Sequence, residues 1–393
     1  MEICMPDWID EDPSIFYGFW GQCHSDYRTT KPHEGYDILA RWKNDKNNSS
    51  KEKRDVAQLV QESIQRKVLL RRPFDDERVI QNTPYHVDTG PAGACFSYTS
   101  NVDAHFFDTF EAHEIYQCHG NIELWQCSSP YCTSGGIWRA PLNHSFYVDT
   151  NTMLAPPTKP RAAAAAAASP SSQQEHPNAT PQSTEQPNSN NQIGMPHACI
   201  GHTAGSGART DLLKHMPSSN DTKGWFLETV SNGSIDSTDA SDNSRNKLDG
   251  ETPNWPRCFY CQSLARPAIL MFGDFGWKRD EAEAERWNLW RESVLDLCKR
   301  QVESNSPLKV CIMEIGCGMN VPTCRSASER MVRSVTKSGG EVALVRINPD
   351  LPLAPHLDVS ESLIPIMERG LQALKQIDEI YTMKKQKPTS DKL

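Results

Sequence analysis

The 393-residue sequence has no apolar run approaching the roughly 18 residues that a membrane-spanning helix needs. Its opening residues, Met1-Glu2-Ile3-Cys4-Met5-Pro6-Asp7, lack the basic-then-apolar order of a secretory signal. A soluble, intracellular protein of nucleus or cytoplasm, with no membrane partner, is therefore expected. Hydrophobic residues are scarce at 37%, and mean hydropathy is −0.62, too polar for one well-buried globule of this length. Because the apolar residues cluster, one folded unit interrupted by polar inserts is expected. Basic residues are in deficit, 41 against 50 acidic, for a net charge of −9. That balance excludes a general nucleic-acid coat, and no direct nucleic-acid binding is expected. Cysteine, by contrast, is plentiful. The 13 cysteines are odd in number, and Cys95, Cys298 and Cys311 sit inside apolar runs, which fits reduced thiols better than a disulfide framework.

Asp12-Pro13 reads as an N-cap and first-turn pair, followed by Ser14-Ile15-Phe16-Tyr17-Gly18-Phe19-Trp20 at helical spacing. A second core-facing helix is expected after Pro32-His33-Glu34-Gly35, where Tyr36, Leu39, Ala40 and Trp42 recur, so residues 10–42 form a helical segment. Residues 43–90 read as a polar insert, with a solvated loop over 43–56 and a short amphipathic helix over 57–71. Within 91–150, the run from Ala94 to Thr99 is short and apolar, as a buried strand of a parallel sheet should be. From 151 to 254 the composition changes to alanine, then Pro, Ser, Gln and Asn tracts. This segment reads as a low-complexity disordered insert with too few large apolar residues to offset the entropy of ordering it. Over 255–385, helix and strand alternate: strands at 268–272, 308–315 and 341–347, a helix over 280–300 with Trp287, Trp290, Val294 and Leu297 at spacings of three, four and three, and a terminal helix over 360–385 with Pro365 early in it. The pattern predicts an α/β fold with a parallel sheet.

Two cysteine pairs, Cys127-x4-Cys132 and Cys258-x2-Cys261, have the spacing that lets two thiolates grip a tetrahedral zinc from a knuckle; four reduced loop cysteines leave the same pattern. The 125 residues between the pairs add only logarithmically to the cost of closing one site. Asn101 and Asp103 follow one expected strand, and Gly316-Cys317-Gly318 and Asn348 follow two others. Strand ends of this kind are where open α/β sheets bind ligands, and His119 adds one titratable base. Singly, each of these reads as readily as a turn residue or a structural histidine.

The order Tyr98-Thr99-Ser100-Asn101-Val102-Asp103, then Gln117-Cys118-His119-Gly120, two cysteine pairs, Ala265-Arg266-Pro267 with Met271-Phe272-Gly273-Asp274, Glu314-Ile315-Gly316, and Arg346-Ile347-Asn348 resembles the sirtuin family. The likeness is to a branch whose strand-end motif reads T-S-N-V-D, and outside the inserts it covers most of residues 10–380. It implies a Rossmann-like parallel sheet with a small zinc-binding module and long disordered inserts. It also implies an NAD-dependent protein lysine deacetylase or deacylase, a transferase that consumes NAD and releases nicotinamide from an acyl-lysine protein substrate. By the resemblance, His119 is the general base and Asn101 positions the nicotinamide ribose and a water. Thr99, Ser100, Asp103, Gly316, Cys317, Gly318 and Asn348 complete the NAD site. Cys127, Cys132, Cys258 and Cys261 hold one structural zinc, and Phe272, Gly273 and Asp274 border the acyl-lysine channel.

Two departures from the family pattern carry expectations. The family's glycine-rich first strand and Pro-Asp-Phe-Arg loop have no counterpart here, so the first strand of the sheet is expected to be missing. The chain is then either an incomplete gene product or a weak NAD binder. Thr109-Phe110 replaces a small-residue-glycine pair, which alters the packing of that loop. The alternative function is a catalytically impaired sirtuin-like protein that keeps its zinc module and acts through interaction.

Overall fold

The computed structural model describes residues 3–47, 56–70, 91–133, 136–141, 143–160, 252–303, 305–354 and 356–386. Most of the low-complexity segment lies outside the described residues.

A short helix α1 (Trp8–Glu11) precedes α2 (Pro13–Thr29). Asp12 caps α2 as expected: its Oδ1 accepts from Ser14 N at 3.0 Å, and Pro13 needs no partner in the first turn. Phe16, Tyr17, Trp20 and Cys23 form the buried face of α2, and the Tyr17 hydroxyl donates to the Ala265 carbonyl at 2.6 Å. The second helix, α3 (Glu34–Asn47), runs five residues past the expected stop at 42. The reason is Lys43, which is buried: its ammonium donates to Glu114 at 2.6 Å and lies 4.9 Å from the centre of the Phe110 ring. Phe110 and Phe106 pack edge to face, so the bulky Phe110 of the Thr109-Phe110 pair is accommodated in an apolar cluster. Helix α4 (Val56–Leu70) forms where an amphipathic helix was expected, and its Val60 and Ile64 join a core cluster rather than a solvated insert.

Strand β1 (Ser97–Thr99) pairs in parallel with β2 (Ile115–Gln117). Two 3-10 turns, His105–Asp108 and Ala112–Glu114, carry the chain from β1 to β2. The sheet of β3 (Gly120–Cys127), β4 (Ile137–Arg139) and β7 (Ala265–Ile269) is antiparallel. This corrects the expected strand at 268–272, which begins three residues earlier and does not belong to a parallel sheet. Pro267 is tolerated because β7 lies at the edge of its sheet.

Helix α5 (Glu281–Glu303) buries Trp290, Val294 and Leu297 as its spacing predicts. It is followed by β8 (Lys309–Ile315), α6 (Thr323–Lys337) and β9 (Glu341–Ile347). The expected terminal helix is divided into α7 (Leu357–Ser360), β10 (Leu363–Ile366) and α8 (Gly370–Gln386). Pro365 lies in the edge strand β10 of a parallel β10-β9-β8 sheet, where its missing N–H is harmless. One face of this sheet packs Val310 and Ile312 toward α5, and the other packs Met313, Ile315 and Val345 with Ile38 of α3 and Leu374 of α8. Among the described residues, β8 pairs only with β9 and β1 only with β2, so the parallel strands form two separate sheets. Inside the larger one, Arg346 is fully buried and donates to Glu314 at 2.6 and 3.1 Å and to Glu329 at 3.0 Å.

A two-residue neck, β5 (Thr158–Lys159) against β6 (Thr252–Pro253), brings the two ends of the intervening chain side by side. Asn254, fully buried, clamps it: Nδ2 donates to the carbonyls of Tyr147 and Pro156, both at 2.8 Å, and Oδ1 accepts from Tyr147 N at 2.9 Å. The ordered core thus reaches past the expected insert boundaries at 151 and 254.

Candidate cofactor cleft and candidate metal centre

The residues singled out in the sequence follow the C-terminal ends of parallel strands: Ser100 to Asp103 after β1, Cys118 and His119 after β2, Gly316 to Gly318 after β8, and Asn348 after β9. Three of these four ends meet at the first turn of α6. The His119 Nε2 lies 3.1 Å from the Thr323 hydroxyl. Cys118, Cys317 and Ser100 act electrostatically on the Cys324 sulfur, which packs against the apolar cluster that contains Cys118, and the next residue, Arg325, donates to the Cys317 carbonyl at 3.4 Å. Burial holds the half-buried His119 imidazole below its usual 6.5, against an upward pull from Cys324, so the ring is neutral at pH 7. Thiol donation from Cys118 and Cys317 brings Cys324 down to about 3, while the same hydrogen bonds and burial raise the two donors.

The remaining candidates are arranged differently. Thr99 is buried, and its Oγ1 accepts from Asn101 N at 3.0 Å. Asn101 is exposed and donates to the Tyr36 hydroxyl at 3.4 Å, and Asp103 accepts from His105 N at 2.9 Å. Asn101 therefore faces the start of α3, and Asp103 acts electrostatically on the same Tyr36. Gly316 has φ +69°, and a β-carbon built at Gly316 or Gly318 meets nothing within 4 Å, so this loop borders open space. Asn348 is fully engaged in shaping that loop: Nδ2 donates to the Cys317 carbonyl at 3.0 Å, and Oδ1 accepts from Asp350 N and Leu351 N at 2.9 Å each. Phe272 is 43% exposed beside Gly273 at φ +70°. The Asp274 carboxylate is taken up by a bidentate pair with Arg266 at 2.7 and 2.8 Å, so it fixes the turn rather than facing solvent.

Sequence reasoning missed Cys324 and Glu283. Nothing in the sequence spacing placed Cys324, in the first turn of α6, among three strand ends. Glu283, on α5, is wholly buried and accepts from Gln117 N at 3.0 Å, and burial with the neighbouring Asp280 pushes it up to about 8. A charged residue on a helix otherwise rich in Glu and Arg gave no signal of this.

The four paired cysteines converge. Cys127 ends β3, Cys258 and Cys261 lie in the turn before β7, and the ligand atoms of Cys127, Cys132, Cys258 and Cys261 all fall within 4.8 Å of one another. The contacts Cys127 to Cys261 and Cys132 to Cys258 are 3.4 and 3.7 Å. Four sulfurs around one zinc at ~2.3 Å stand about 3.8 Å apart, so the arrangement fits a closed tetrahedral ion with little movement. Hydrogen bonds from Ser263 lower Cys261 to about 6, whereas burial raises Cys127. A bound cation would favour the thiolate at all four. The cluster can hold a metal ion, and its all-sulfur donor set suits structural zinc. No protein-family model, no curated protein and no solved structure matches this chain.

Proposed function

We propose that the protein is an NAD-dependent protein lysine deacylase of the sirtuin type on a Rossmann-like core, with one structural zinc. The observation that supports this reading best is the gathering of Ser100, His119 and Cys317, from three strand ends, around the first turn of α6. When bound, NAD would supply the ribose carbon that receives the acyl oxygen of the substrate lysine and would release nicotinamide. The neutral His119 imidazole is able to accept a ribose hydroxyl proton at pH 7, and Thr323 fixes its ring orientation. The exposed Asn101 amide, tied to the protein through one long bond to the Tyr36 hydroxyl, would position the ribose and a water. The open-faced glycines at 316 and 318 allow close backbone approach by the adenosine part. Exposed Phe272 would line the acyl-lysine channel.

The test is nicotinamide release from NAD in the presence of an acetyl-lysine peptide. His119→Ala should lower the rate at least about 100-fold, the lower range for loss of a general base. The acidic limb of the wild-type profile should lie below pH 6.5. Equal release by the two proteins would remove His119 from the mechanism.

A second reading, a zinc-containing interaction protein with impaired catalysis, is favoured by the engagement of Asn348 and Asp274 in local turns and by the two separate parallel sheets. It predicts no nicotinamide release above a boiled control and retention of bound zinc.

A further inference from the structure

Cys118, Cys317 and Cys324 lie outside the four-cysteine centre, and all three are free thiols. They come from three distant places: the residue after β2, the loop after β8 and the first turn of α6. Cys324 is the middle member: it packs against the cluster that contains Cys118, and the adjoining Arg325 Nη1 donates to the Cys317 carbonyl at 3.4 Å, which holds the loop after β8 against the first turn of α6. It is half-buried, so a small molecule can approach it, and its place in the first turn of a 15-residue helix favours the thiolate. The two neighbours differ in their freedom to move. Cys118 is buried at the end of a paired strand, and its N–H donates to the Thr99 carbonyl at 2.9 Å. Cys317 is half-buried between two glycines that border open space. A disulfide needs sulfurs about 2.05 Å apart, and only the glycine-flanked loop can close that gap without dislodging a strand.

We propose that Cys324 is a site of reversible oxidation by hydroperoxides, resolved by Cys317 as a disulfide that draws the Gly316–Gly318 loop onto the first turn of α6. In the first step the Cys324 thiolate attacks one peroxide oxygen. The O–O bond breaks, Cys324 becomes a sulfenic acid, and the other oxygen leaves as hydroxide, or as alkoxide from an organic hydroperoxide, and takes up a solvent proton to become water or alcohol. In the second step the Cys317 sulfur attacks the Cys324 sulfur. The S–O bond breaks, and the hydroxyl leaves with the thiol proton as water. A dithiol reductant reverses the disulfide by exchange. The oxidised loop would narrow the cleft beside His119; that consequence rests on the deacylase reading, whereas the disulfide itself does not.

The experiment treats the full chain with hydrogen peroxide, alkylates the remaining thiols and maps tryptic peptides by mass. Residues 310–325 form one such peptide, which contains Cys311, Cys317 and Cys324. It should take up three alkyl groups before peroxide, one afterwards, and three again after dithiothreitol. The Cys324→Ser peptide should take up two alkyl groups both before and after peroxide, and Cys118→Ser should behave as wild type. Three alkyl groups after peroxide, irreversible sulfinic acid at Cys324, or a cross-link to the Cys118 peptide would each overturn the proposal. In parallel, nicotinamide release should fall with the loss of thiols in the wild type and hold in Cys324→Ser, each relative to its own untreated rate. If neither protein releases nicotinamide while the alkyl counts change as stated, the deacylase reading fails and the oxidation site stands.

Discussion

Glu283 and His119 sit on either side of the β2 end with shifts of opposite consequence. Glu283 is held protonated up to about 8, against a usual 4.5, because it is buried and beside Asp280. Folding therefore takes up a proton between about pH 4.5 and 8, and this group's contribution to stability falls as pH rises through that window. Glu283→Gln keeps a carbonyl acceptor for the Gln117 N–H and removes the titration. The variant should match wild type below about pH 4.5 and exceed it by on the order of 4 kcal/mol at pH 8, read as melting temperature against pH. A difference that stays constant with pH would mean that Glu283 is ionised in the fold. His119 has the reverse sign. Its depressed value means that stability is lost as pH falls below 6.5, so acid weakens the fold at the residue the proposed reaction needs neutral.

Among elements, the junction of β2 and β3 is the tightest. Gly120 has φ +72°, and a β-carbon there would lie 1.9 Å from the Ala268 carbonyl oxygen. The Leu270 N–H donates to the His119 carbonyl at 2.9 Å, so His119, β3 and the end of β7 are held at one point. Gly120→Ala should cost about 2 kcal/mol or more, from strain at positive φ plus displacement of β7. Denaturant unfolding reads this cost, and an unchanged midpoint would show that the junction can open. The elements were legible in the sequence where one signal dominated. The Asp12-Pro13 cap fixed the start of α2, and the spacing of Trp287, Trp290, Val294 and Leu297 fixed α5. They were illegible where tertiary partners decide. Lys43 extends α3 because Glu114, 71 residues away, neutralises it. Pro365 suits an edge strand as well as a helix start, and only the pairing with β9 chooses. In the site, the strand-end residues and all four metal-centre cysteines were readable from motif order. The engagement of Asn348 and Asp274 was not, because an amide or carboxylate that shapes a turn looks the same in sequence as one that binds a ligand.

For the whole molecule, the four-cysteine centre is a long-range clip: Cys127 and Cys132 lie on one side of the intervening chain, Cys258 and Cys261 on the other. Metal analysis should find one zinc per chain in the wild type and none in Cys258→Ser. Stripping the metal should lower the melting temperature by several degrees, since closing a loop of roughly 100 residues is worth about 4 kcal/mol. Unchanged metal content in the variant would reject the site. The β5–β6 neck lies on the same stretch of chain, locked by Asn254. Because chain enters and leaves the core through adjacent strands, the core registers the separation of the two ends and not the amount of chain between them. Each doubling of that amount costs only about 0.6 kcal/mol. The neck therefore works as a port: sequence can be added, removed or exchanged beyond it over evolutionary time while the strand-end cluster and the four-cysteine cluster keep their geometry.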